Sequence, residues 1–288
     1  MHKVHDKIAP MPPASNHAHV RIVQSRQNAR VKELRAALRK SEKTGSGLIA
    51  LEGQHLVEEA LRSGLRIATL FVRSGSINLA NNLSLQPQTE ILELPPEIFA
   101  SAATTESPQP IAALAEAPVF SLEQILAEPR PPKQHTLIIV SAGLQDPGNL
   151  GTIVRSAEAF GASGIVTLPG TVSIWNAKAL RASSGSAFRL PVVSATVKDL
   201  FPALRSHRIG TLATTVDGGT PAQQLDLTQP TAIFIGNEGS GLASELINQC
   251  DERVTIPTPG PVESLNAAIA ASILLYEAAR QRTTVDQG

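Results

Sequence analysis

Apolar residues recur along the chain in two patterns, and their alternation predicts an α/β protein. In the helical pattern apolar side chains return every three or four residues, as at Val31, Leu34 and Leu38, which places them on one face of a helix. In the strand pattern short apolar runs stand between turn residues, as in GLIALEG, IATLFV, EILEL and IAALA of the first half. The runs TLIIVSAG, GIVTL, IGTLAT, TAIFIG and RVTIP of the second half are typical of buried parallel strands. We therefore expect a doubly wound parallel sheet in the second half.

Four segments follow from these patterns and from the distribution of proline. Residues 1–20 mix His, Pro and polar residues without an apolar run, and we expect a disordered lead and no signal peptide. Residues 21–117 alternate short strands and helices and predict a small α/β domain. The proline-rich residues 118–135 predict a linker with one helical turn, and residues 136–284 predict the larger parallel-sheet domain.

Composition excludes several classes of function. The chain has 288 residues, 42% of them hydrophobic and 17% charged, which suits a globular protein with a substantial core. No apolar run approaches the roughly 20 residues of a membrane-spanning helix, so we expect no membrane partner and a cytoplasmic protein. The single cysteine, Cys250, allows no internal disulfide, and we predict no metal site. Neither GxGxxG after the first strand of the second domain nor GxxxxGK[ST] occurs, which argues against dinucleotide and P-loop sites.

The net charge of zero hides a local excess of basic residues. Residues 21–43 hold eight Lys and Arg against two Glu, a candidate surface for a polyanion. Because only 3% of the chain is aromatic, nucleic acid would be held by charge more than by stacking. The same residues also fit a solvated amphipathic helix, and the pattern alone leaves both interpretations open.

The first segment that carries candidate chemistry is LQDPGNLGTIVRSAEAFGASGI, residues 144–165. Its polar groups Asn149 and Arg155 follow a Pro-Gly turn at the carboxyl end of a strand, where open α/β sheets bind ligands. A purely structural interpretation is available as well. Asn149 can cap the helix and Arg155 can pair with Glu158 at i+3.

The second segment is AIFIGNEGSGL, residues 232–242, a strand that runs into a glycine-rich turn. Glycines permit the backbone to approach a ligand closely, and Gly236 is the first of them. Glu238 is unusual in such a turn. In a structural interpretation it lies near a helix N-terminus, where the macrodipole favours its charge.

The third segment is VTIPTPGPVESLNAAIAASILLYEAARQR, residues 254–282, a strand, a Pro-Gly loop and a long helix. Ser264 can cap this helix. Leu265, Ile269 and Ile273 form an i, i+4, i+8 stripe that predicts a buried face. Packing leaves Glu263 and Asn266 unexplained.

The motifs NLGxIxRxAxxFG, IGNEGxGL and IPxxGxVxSLNxxxAxxILLYE, in this order, resemble those of the SpoU, or TrmH-type, RNA 2'-O-ribose methyltransferases. LRASSGSAFRLPVV resembles the segment between the first two. SRQNARVKELRAAL and LIALEGQHLVEEAL resemble the small RNA-binding domain of the ribosomal-protein type that precedes the catalytic domain in many members. The resemblance implies a parallel-sheet domain of the SPOUT superfamily with a deep trefoil knot, and a homodimer with its site near the interface.

The same resemblance implies S-adenosylmethionine as cofactor and a ribose 2'-hydroxyl of RNA as acceptor. The cofactor contacts transfer to Gly236, Ile256, Leu265 and, at the pocket edge, Thr214. The catalytic residue is Arg155, supported by Asn149, Glu238, Ser264 and Asn266. The RNA contacts expected on the basic helix and on a second basic segment are Asn28, Lys32, Arg35, Lys178 and Arg181.

The sequence leaves the RNA and the modified nucleotide open. A separate RNA-binding domain favours ribosomal RNA over transfer RNA, because structured substrates often need a second anchoring surface. Three alternatives remain: a tRNA 2'-O-methyltransferase, a base methyltransferase of the same superfamily, and a non-catalytic RNA-binding or ribosome-assembly protein. The joint presence of all five catalytic candidates argues against the last.

Overall fold

The computed structural model describes residues 20–104, 108–127 and 135–285. Of the predicted lead, all but Val20 lie outside the described residues. Residues 128–134 of the predicted linker lie outside them too, and a short helix, Leu122–Leu126, follows the first sheet.

The first sheet contains five strands in the order β1-β4-β3-β5-β2. Its strands are β1 (Val20–Ile22), β2 (Leu48–Glu52), β3 (Ile67–Arg73), β4 (Glu90–Leu94) and β5 (Ile111–Glu116). Its helices are α1 (Ala29–Lys40), α2 (Gln54–Arg62), α3 (Asn78–Asn81) and α4 (Pro96–Ala102). Strand β5 runs antiparallel to β2 and β3, whereas β1, β3 and β4 are parallel.

The second sheet contains seven strands, and all of them are parallel, as the continuous apolar runs predicted. Its strands are β6 (Leu137–Ser141), β7 (Gly164–Thr167), β8 (Val192–Ser194), β9 (Gly210–Thr214), β10 (Thr220–Pro221), β11 (Thr231–Ile235) and β12 (Glu252–Thr255). The helices are α5 (Leu122–Leu126), α6 (Pro147–Ala159), α7 (Ala177–Ser183), α8 (Val197–Ser206), α9 (Ser244–Ile247) and α10 (Ala267–Val285), with 3-10 turns at Ser186–Phe188 and Ala222–Gln224.

The strand order β10-β12-β9-β11-β6-β7-β8 brings distant loops together. Strands β6, β7 and β11 are buried along their whole length. Because carboxyl ends of parallel strands share one edge of a sheet, the segments that follow β6, β9, β11 and β12 meet at this edge.

Two predicted helix caps are wrong. Helix α6 begins at Pro147 and is capped by Asp146, whose Oδ1 accepts a hydrogen bond from Gly148 N at 2.8 Å. Proline suits the first helical position because it has no N–H to satisfy, so the helix starts before Asn149. Helix α10 is capped by Asn266, whose Oδ1 accepts from Ala268 N, and Ser264 lies before the cap.

The predicted buried stripe of α10 is also wrong. Ile269 is 53% exposed and Ile273 is 37% exposed. Apolar residues surround most of this helix, so their spacing does not select one face. Alanines on another face allow a close approach to α6, where Ser156 Oγ and Ser272 Oγ lie 2.8 Å apart. The residues that α10 buries are Ala267, Ala268, Ala271, Leu274, Leu275 and Ala278.

The two sheets share packing and polar contacts. Buried residues of β2, such as Ile49, belong to the same apolar cluster as Leu137 of β6. Arg189 joins α2 to α6, because it donates to Glu59 Oε2 at 2.9 Å and to Glu158 Oε1 at 2.6 Å.

As predicted, Val31, Leu34 and Leu38 of α1 are buried. Among the described helices, none combines the length and the apolar character needed to cross a bilayer.

The end of α10 is fastened to the sheet by Arg282. Its guanidinium donates to the carbonyl oxygens of Leu227 at 2.8 Å, Gln229 at 2.8 Å and His135 at 2.5 Å. Burial lowers the pKa of Arg282 to about 10, so the group remains charged at neutral pH. The guanidinium thus ties the last helix to the segments that precede β6 and β11.

We expect Arg282→Ala to lower the free energy of unfolding by about 2–4 kcal/mol, because several partly buried carbonyls lose a charged donor together. Urea denaturation measures this difference. Arg280→Ala is the matched control, because Arg280 is exposed and its bonds to Glu277 lie within the same helix. Equal stability of the two variants would contradict the anchoring role.

Candidate active site

A cavity of about 290 Å³ opens at the carboxyl edge of the second sheet. Three segments line it: residues 214–216 after β9, residues 235–241 after β11, and parts of residues 254–274, which run from β12 into α10. The structure places all four predicted cofactor residues on its wall, together with two of the catalytic candidates. These lining residues are Thr214, Gly236, Ile256, Leu265, Glu238 and Ser264. The volume lies near the lower end of typical ligand sites, about 300–1,000 Å³.

Gly236 is required by the backbone of its own turn. A Cβ atom there would lie 2.2 Å from the Gly241 carbonyl carbon and 2.4 Å from Leu242 N. Asn237 holds the turn closed, because its Oδ1 accepts from Gly239 N at 2.9 Å and its Nδ2 donates to Gly143 O at 2.8 Å. Any side chain at position 236 would therefore open the turn that forms this part of the cavity wall.

The hydroxyl of Thr214 forms a hydrogen bond within the sheet, which the sequence did not reveal. Its hydroxyl donates to Phe234 O at 2.8 Å and so ties β9 to β11. The neighbouring Thr215 also lines the cavity, and its buried Oγ1 has no hydrogen-bond partner among the described residues. Because the Thr214 hydroxyl is already used, a ligand at this wall would contact the backbone of Thr214 or the hydroxyl of Thr215.

Glu238 joins the second motif to the first. Its carboxylate accepts hydrogen bonds from Asn149 Nδ2 at 2.9 Å and from the backbone N–H groups of Gln145 and Asp146, each at 3.2 Å. Burial raises the pKa of this carboxyl, but the bonds from Asn149 and the backbone amides outweigh it, and the pKa is lowered from its ordinary value. Glu238 is therefore an ionised clamp at the N-terminus of α6, where the structural interpretation placed its charge near a helix, and its hydrogen bonds add a direct link between two motifs.

Asn149 joins the first motif to the third. Its Nδ2 donates to Glu238 and its Oδ1 accepts from Asn266 Nδ2 at 3.0 Å. Asn266 Oδ1 in turn accepts from the first N–H groups of α10. The alternation of donors and acceptors fixes the orientation of both amides. The three residues form one relay, named here the Glu238–Asn149–Asn266 relay, that links all three motifs.

Arg155 lies apart from this relay. It is exposed on α6 and does not line the cavity. The expected pair with Glu158 is wrong, because Arg189 donates to both Glu158 oxygens, at 2.6 and 2.9 Å. A planar guanidinium that binds both oxygens of a carboxylate outcompetes a local i+3 contact. Arg155 consequently has no hydrogen bond or ion pair with any described residue.

A largely apolar surface lies between α6, the helix that carries Arg155, and α10. This α6–α10 patch consists of Thr152, Phe160, Ala268, Ile269, Ser272, Ile273 and Tyr276. The rings of Phe160 and Tyr276 meet edge to face with centroids 5.9 Å apart, and Tyr276 is 56% exposed. Contiguous exposed apolar side chains on a globular protein mark interaction surfaces.

The predicted RNA contacts of α1 differ in how free they are. Asn28 caps the helix, since its Oδ1 accepts from Arg30 N and Val31 N. Arg35 donates to Ser101 O and Ser101 Oγ, each at 3.0 Å, and so holds α4 against α1. Lys32 is exposed and has no partner among the residues that the structure describes. Of the three side chains, Lys32 is the one free to meet a phosphate.

The other two RNA candidates lie on α7, away from α1. Lys178 Nζ lies 2.6 Å from Asp146 Oδ1, next to the amides that Glu238 binds. Arg181 Nη1 lies 3.9 Å from Glu52 of β2. The pair Lys178 and Arg181 therefore runs from the edge of the candidate site toward the first sheet.

Two residues of the site escaped the sequence analysis. Asp146 caps α6 and binds Lys178, and its signal is the Asp-Pro pair before a helical pattern. Asn237 closes the glycine-rich turn, and its signal is an Asn directly before Glu-Gly, since Asn side chains often bond to the backbone two residues on. Within the described ranges no group of three or more His, Cys, Asp or Glu side chains is arranged to hold a metal ion.

Comparison with known proteins places this geometry in a family. The model of the SpoU rRNA Methylase family matches residues 136–276, and a model of an MRM3-like substrate binding domain matches residues 28–113. The 23S rRNA (guanosine(2553)-2'-O)-methyltransferase RlmP of Bacillus subtilis is 34% identical over 88% of this chain and 97% of its own length. The chain belongs to the SpoU rRNA methylase family.

Other family members extend the similarity over both sheets. The 23S rRNA (uridine(2479)-2'-O)-methyltransferase of Streptomyces viridochromogenes is 33% identical over 89% of this SpoU-family chain and 91% of its own. The crystal structure of an AdoMet-bound rRNA methyltransferase from Sinorhizobium meliloti matches 91% of this chain and 98% of that chain, with 30% identity and a TM-score of 0.77. The predicted family and the parallel-sheet α/β fold are thus confirmed.

The clamp at Glu238 can be tested through the amides that it binds. Glu238→Gln replaces one carboxylate oxygen by an NH2 group. This group cannot accept a hydrogen bond from the three donors that the carboxylate binds, which are Asn149 Nδ2 and the backbone amides of Gln145 and Asp146. We expect hydrogen exchange of the Gln145 and Asp146 amides to accelerate about 10- to 100-fold, since bonds to a charged group contribute roughly 1.5–3 kcal/mol. The matched control is the Thr211 amide, which donates to the Asp251 carboxylate at 2.8 Å and is distant in sequence.

The same clamp has a predicted pH dependence. Because the pKa of Glu238 is lowered in the fold, its stabilising effect is complete above the ordinary value of 4.5 and is lost as the pH falls through the lowered value. Unchanged exchange of both amides in Glu238→Gln would refute the clamp.

Proposed function

We propose that this SpoU-family protein transfers a methyl group from S-adenosylmethionine to a ribose 2'-hydroxyl of ribosomal RNA. The observation that carries the proposal is that the second and third motifs line one cavity, while hydrogen bonds from Asn149 to Glu238 and from Asn266 to Asn149 join the first motif, with its unpaired Arg155, to them. Relatives matched over nearly their whole length are named as 23S rRNA 2'-O-methyltransferases, which supports the same reaction here.

The cavity fits this cofactor in size and in the chemistry of its wall. Backbone groups at Gly236, Ile256 and Leu265 would hold it, with Thr214 at the edge. Apolar side chains between these groups suit the adenine ring, and the tight glycine turn brings the backbone close to a ligand. When bound, S-adenosylmethionine supplies a methyl group activated on a sulfonium.

Arg155 acts on the acceptor RNA in this proposal. During transfer the ribose 2'-oxygen gains the methyl carbon and loses its proton. A guanidinium group carries five N–H donors and no acceptor, so Arg155 is unsuited to take that proton. Arg155 instead binds the phosphate beside the target ribose and stabilises the developing oxyanion, and the proton passes to a phosphate oxygen or to water.

The other catalytic candidates position the site. Asn149, Glu238 and Asn266 are committed to one another, so their role is to hold the loops around the cavity. Ser264 is exposed on the cavity wall and offers a hydroxyl to the reacting groups.

We propose a homodimer in which the α6–α10 patch forms the interface. Arg155 is exposed on α6, which contributes to this patch, and it does not line the cavity of its own chain, so we infer that it serves the cavity of the second copy. Burial of Ile269, Ile273 and Tyr276 would drive the association. Sedimentation of the intact chain measures its oligomeric state.

The finer features of the fold are part of the same proposal. A trefoil knot is supported by α10, which follows β12 at one side of the sheet and packs on α6 next to β6. Residues 21–117 form the RNA-binding domain, residues 118–135 the linker and residues 136–284 the catalytic domain. The match of residues 28–113 to a substrate-binding domain supports the first assignment. Action on ribosomal RNA implies a cytoplasmic location.

Transfer of labelled methyl groups to unmodified ribosomal RNA and to tRNA, followed by nucleoside analysis, tests the reaction. We expect the label in a 2'-O-methylated nucleoside of ribosomal RNA. The base stays open, because one relative is named for guanosine and another for uridine. Label in tRNA only, on a base, or absent altogether would favour the tRNA enzyme, the base methyltransferase or the non-catalytic protein.

Arg155→Lys tests the role of the guanidinium. We expect turnover to fall by on the order of 100-fold, because a lysine cannot form the two-pronged contact with phosphate, while the Kd of S-adenosylmethionine is unchanged. Arg205→Lys, an exposed change on α8, is the control. Wild-type turnover of Arg155→Lys would rule out this role.

Lys32→Glu tests the basic helix without disturbing the fold. We expect a higher KM for RNA and a salt dependence of binding shallower by about 0.7–0.9 for each phosphate that the helix no longer neutralises, with cofactor affinity unchanged. Lys198→Glu, an equal charge change on exposed α8, should leave the slope as it is. Arg35 is less suitable, because its reversal would break the bonds to Ser101. The same slope in Lys32→Glu and wild type would argue against RNA binding by α1.

A further inference from the structure

The charged side chains on the cavity wall are all negative. Among the described lining residues, Glu238 and Glu263 are the only ones with a charged side chain. The carboxylate of Glu238 is occupied by three donors of the first motif. Glu263 is exposed and forms no hydrogen bond or ion pair with any described residue. Glu263 is therefore the charged lining residue whose carboxylate is free to bind a ligand.

The charge of the ligand changes during the proposed reaction. S-adenosylmethionine carries a sulfonium, an ammonium and a carboxylate, so its net charge is +1. Loss of the methyl group turns the sulfonium into a neutral thioether, and the product S-adenosylhomocysteine has net charge zero. A free carboxylate on the wall attracts the sulfonium by Coulomb's law and gains nothing from the thioether.

We propose that Glu263 makes the cavity prefer the positively charged methyl donor over its neutral product. This inference rests on the proposed function, since it assumes that the cavity binds S-adenosylmethionine. Glu263 precedes Ser264 and Leu265, two lining residues of the third motif, so its carboxylate belongs to the segment assigned to the cofactor. The preference promotes release of product after each turnover.

A structural role for Glu263 predicts a different result. The residue lies four positions before Ala267, where α10 begins. A negative charge near a helix N-terminus interacts favourably with the helix macrodipole. Such an interaction changes the stability of the helix and not the ratio of two ligand affinities. The ratio therefore separates the two roles.

Isothermal titration calorimetry of the full chain with S-adenosylmethionine, S-adenosylhomocysteine and 5'-methylthioadenosine tests the proposal in wild type and Glu263→Gln. We expect the Kd of S-adenosylmethionine to rise about two- to fivefold in the variant, the range of a solvent-exposed ion pair. The Kd values of the two thioether ligands, neither of which has a net charge, should stay within about 1.5-fold of wild type, within the scatter of such a contact.

Two further variants complete the design. Glu263→Asp keeps the charge and should keep the preference, whereas Glu245→Gln removes an exposed carboxylate of α9 outside the cavity and should change no Kd. Equal weakening of S-adenosylmethionine and S-adenosylhomocysteine would place the contact at the ammonium and overturn the proposal. So would unchanged affinities.

Failure of the inference differs from failure of the proposed function. One outcome is that wild type binds S-adenosylmethionine and methylates RNA while Glu263→Gln keeps the wild-type ratio of S-adenosylmethionine to S-adenosylhomocysteine affinity. In that case only the proposed role of Glu263 is wrong. If wild type binds no S-adenosylmethionine, the proposed function itself is wrong.

Discussion

The carboxylate of Glu238 is the interaction on which the candidate site depends. It lies in a turn after β11, yet its partners are the backbone and the Asn149 side chain at the start of α6. Asn149 also accepts a hydrogen bond from Asn266, the cap of α10, and so fixes the position of that helix start. One ionised group thus ties the start of α6 to the glycine-rich turn of the cavity wall and, through Asn149, to the segment that leads into α10. The hydrogen bonds that lower its pKa favour the charged form, so the clamp is complete at neutral pH and is lost only in acid.

The site separates charges that build the structure from charges left for ligands. Arg189 satisfies both Glu59 and Glu158, and Arg35 is held by Ser101, so these groups connect parts of the fold. Arg155 and Lys32 remain unpaired within the described chain. In the proposed reaction these two meet phosphate. The pairing of Glu158 with Arg189 leaves Arg155 without its local partner, so a contact that also reaches Glu59 of α2 bears directly on the proposed catalytic residue.

The comparisons and the geometry support the proposal in different ways. The family explains why the three motifs occur together, and the relatives over both sheets point to ribosomal RNA. The geometry adds what the family name does not contain: which polar groups are committed and which are free. The exposed apolar face of α10 gives the proposed dimer a physical basis, because its isoleucines and Tyr276 remain in contact with water in the single chain.

The sequence by itself determined nine of the twelve strands that the structure describes, all except β1, β8 and β10, and the buried face of α1. The cavity-wall residues Gly236, Ile256 and Leu265 followed from the resemblance of the motifs to a family. Local patterns suffice for the strands and for the helix face, because the spacing of apolar residues along the chain reflects which side chains are buried. Only the tertiary structure decided that Asp146 and Asn266 cap α6 and α10, that Ile269 and Ile273 are exposed, and that Arg189 takes Glu158. The caps are choices between neighbouring residues that could each cap the helix, whereas the exposed face of α10 and the Arg189–Glu158 pair depend on which distant segments pack there. Sequence spacing does not record which partner prevails, since residues 149, 238 and 266 become neighbours only when the parallel strands align their carboxyl ends.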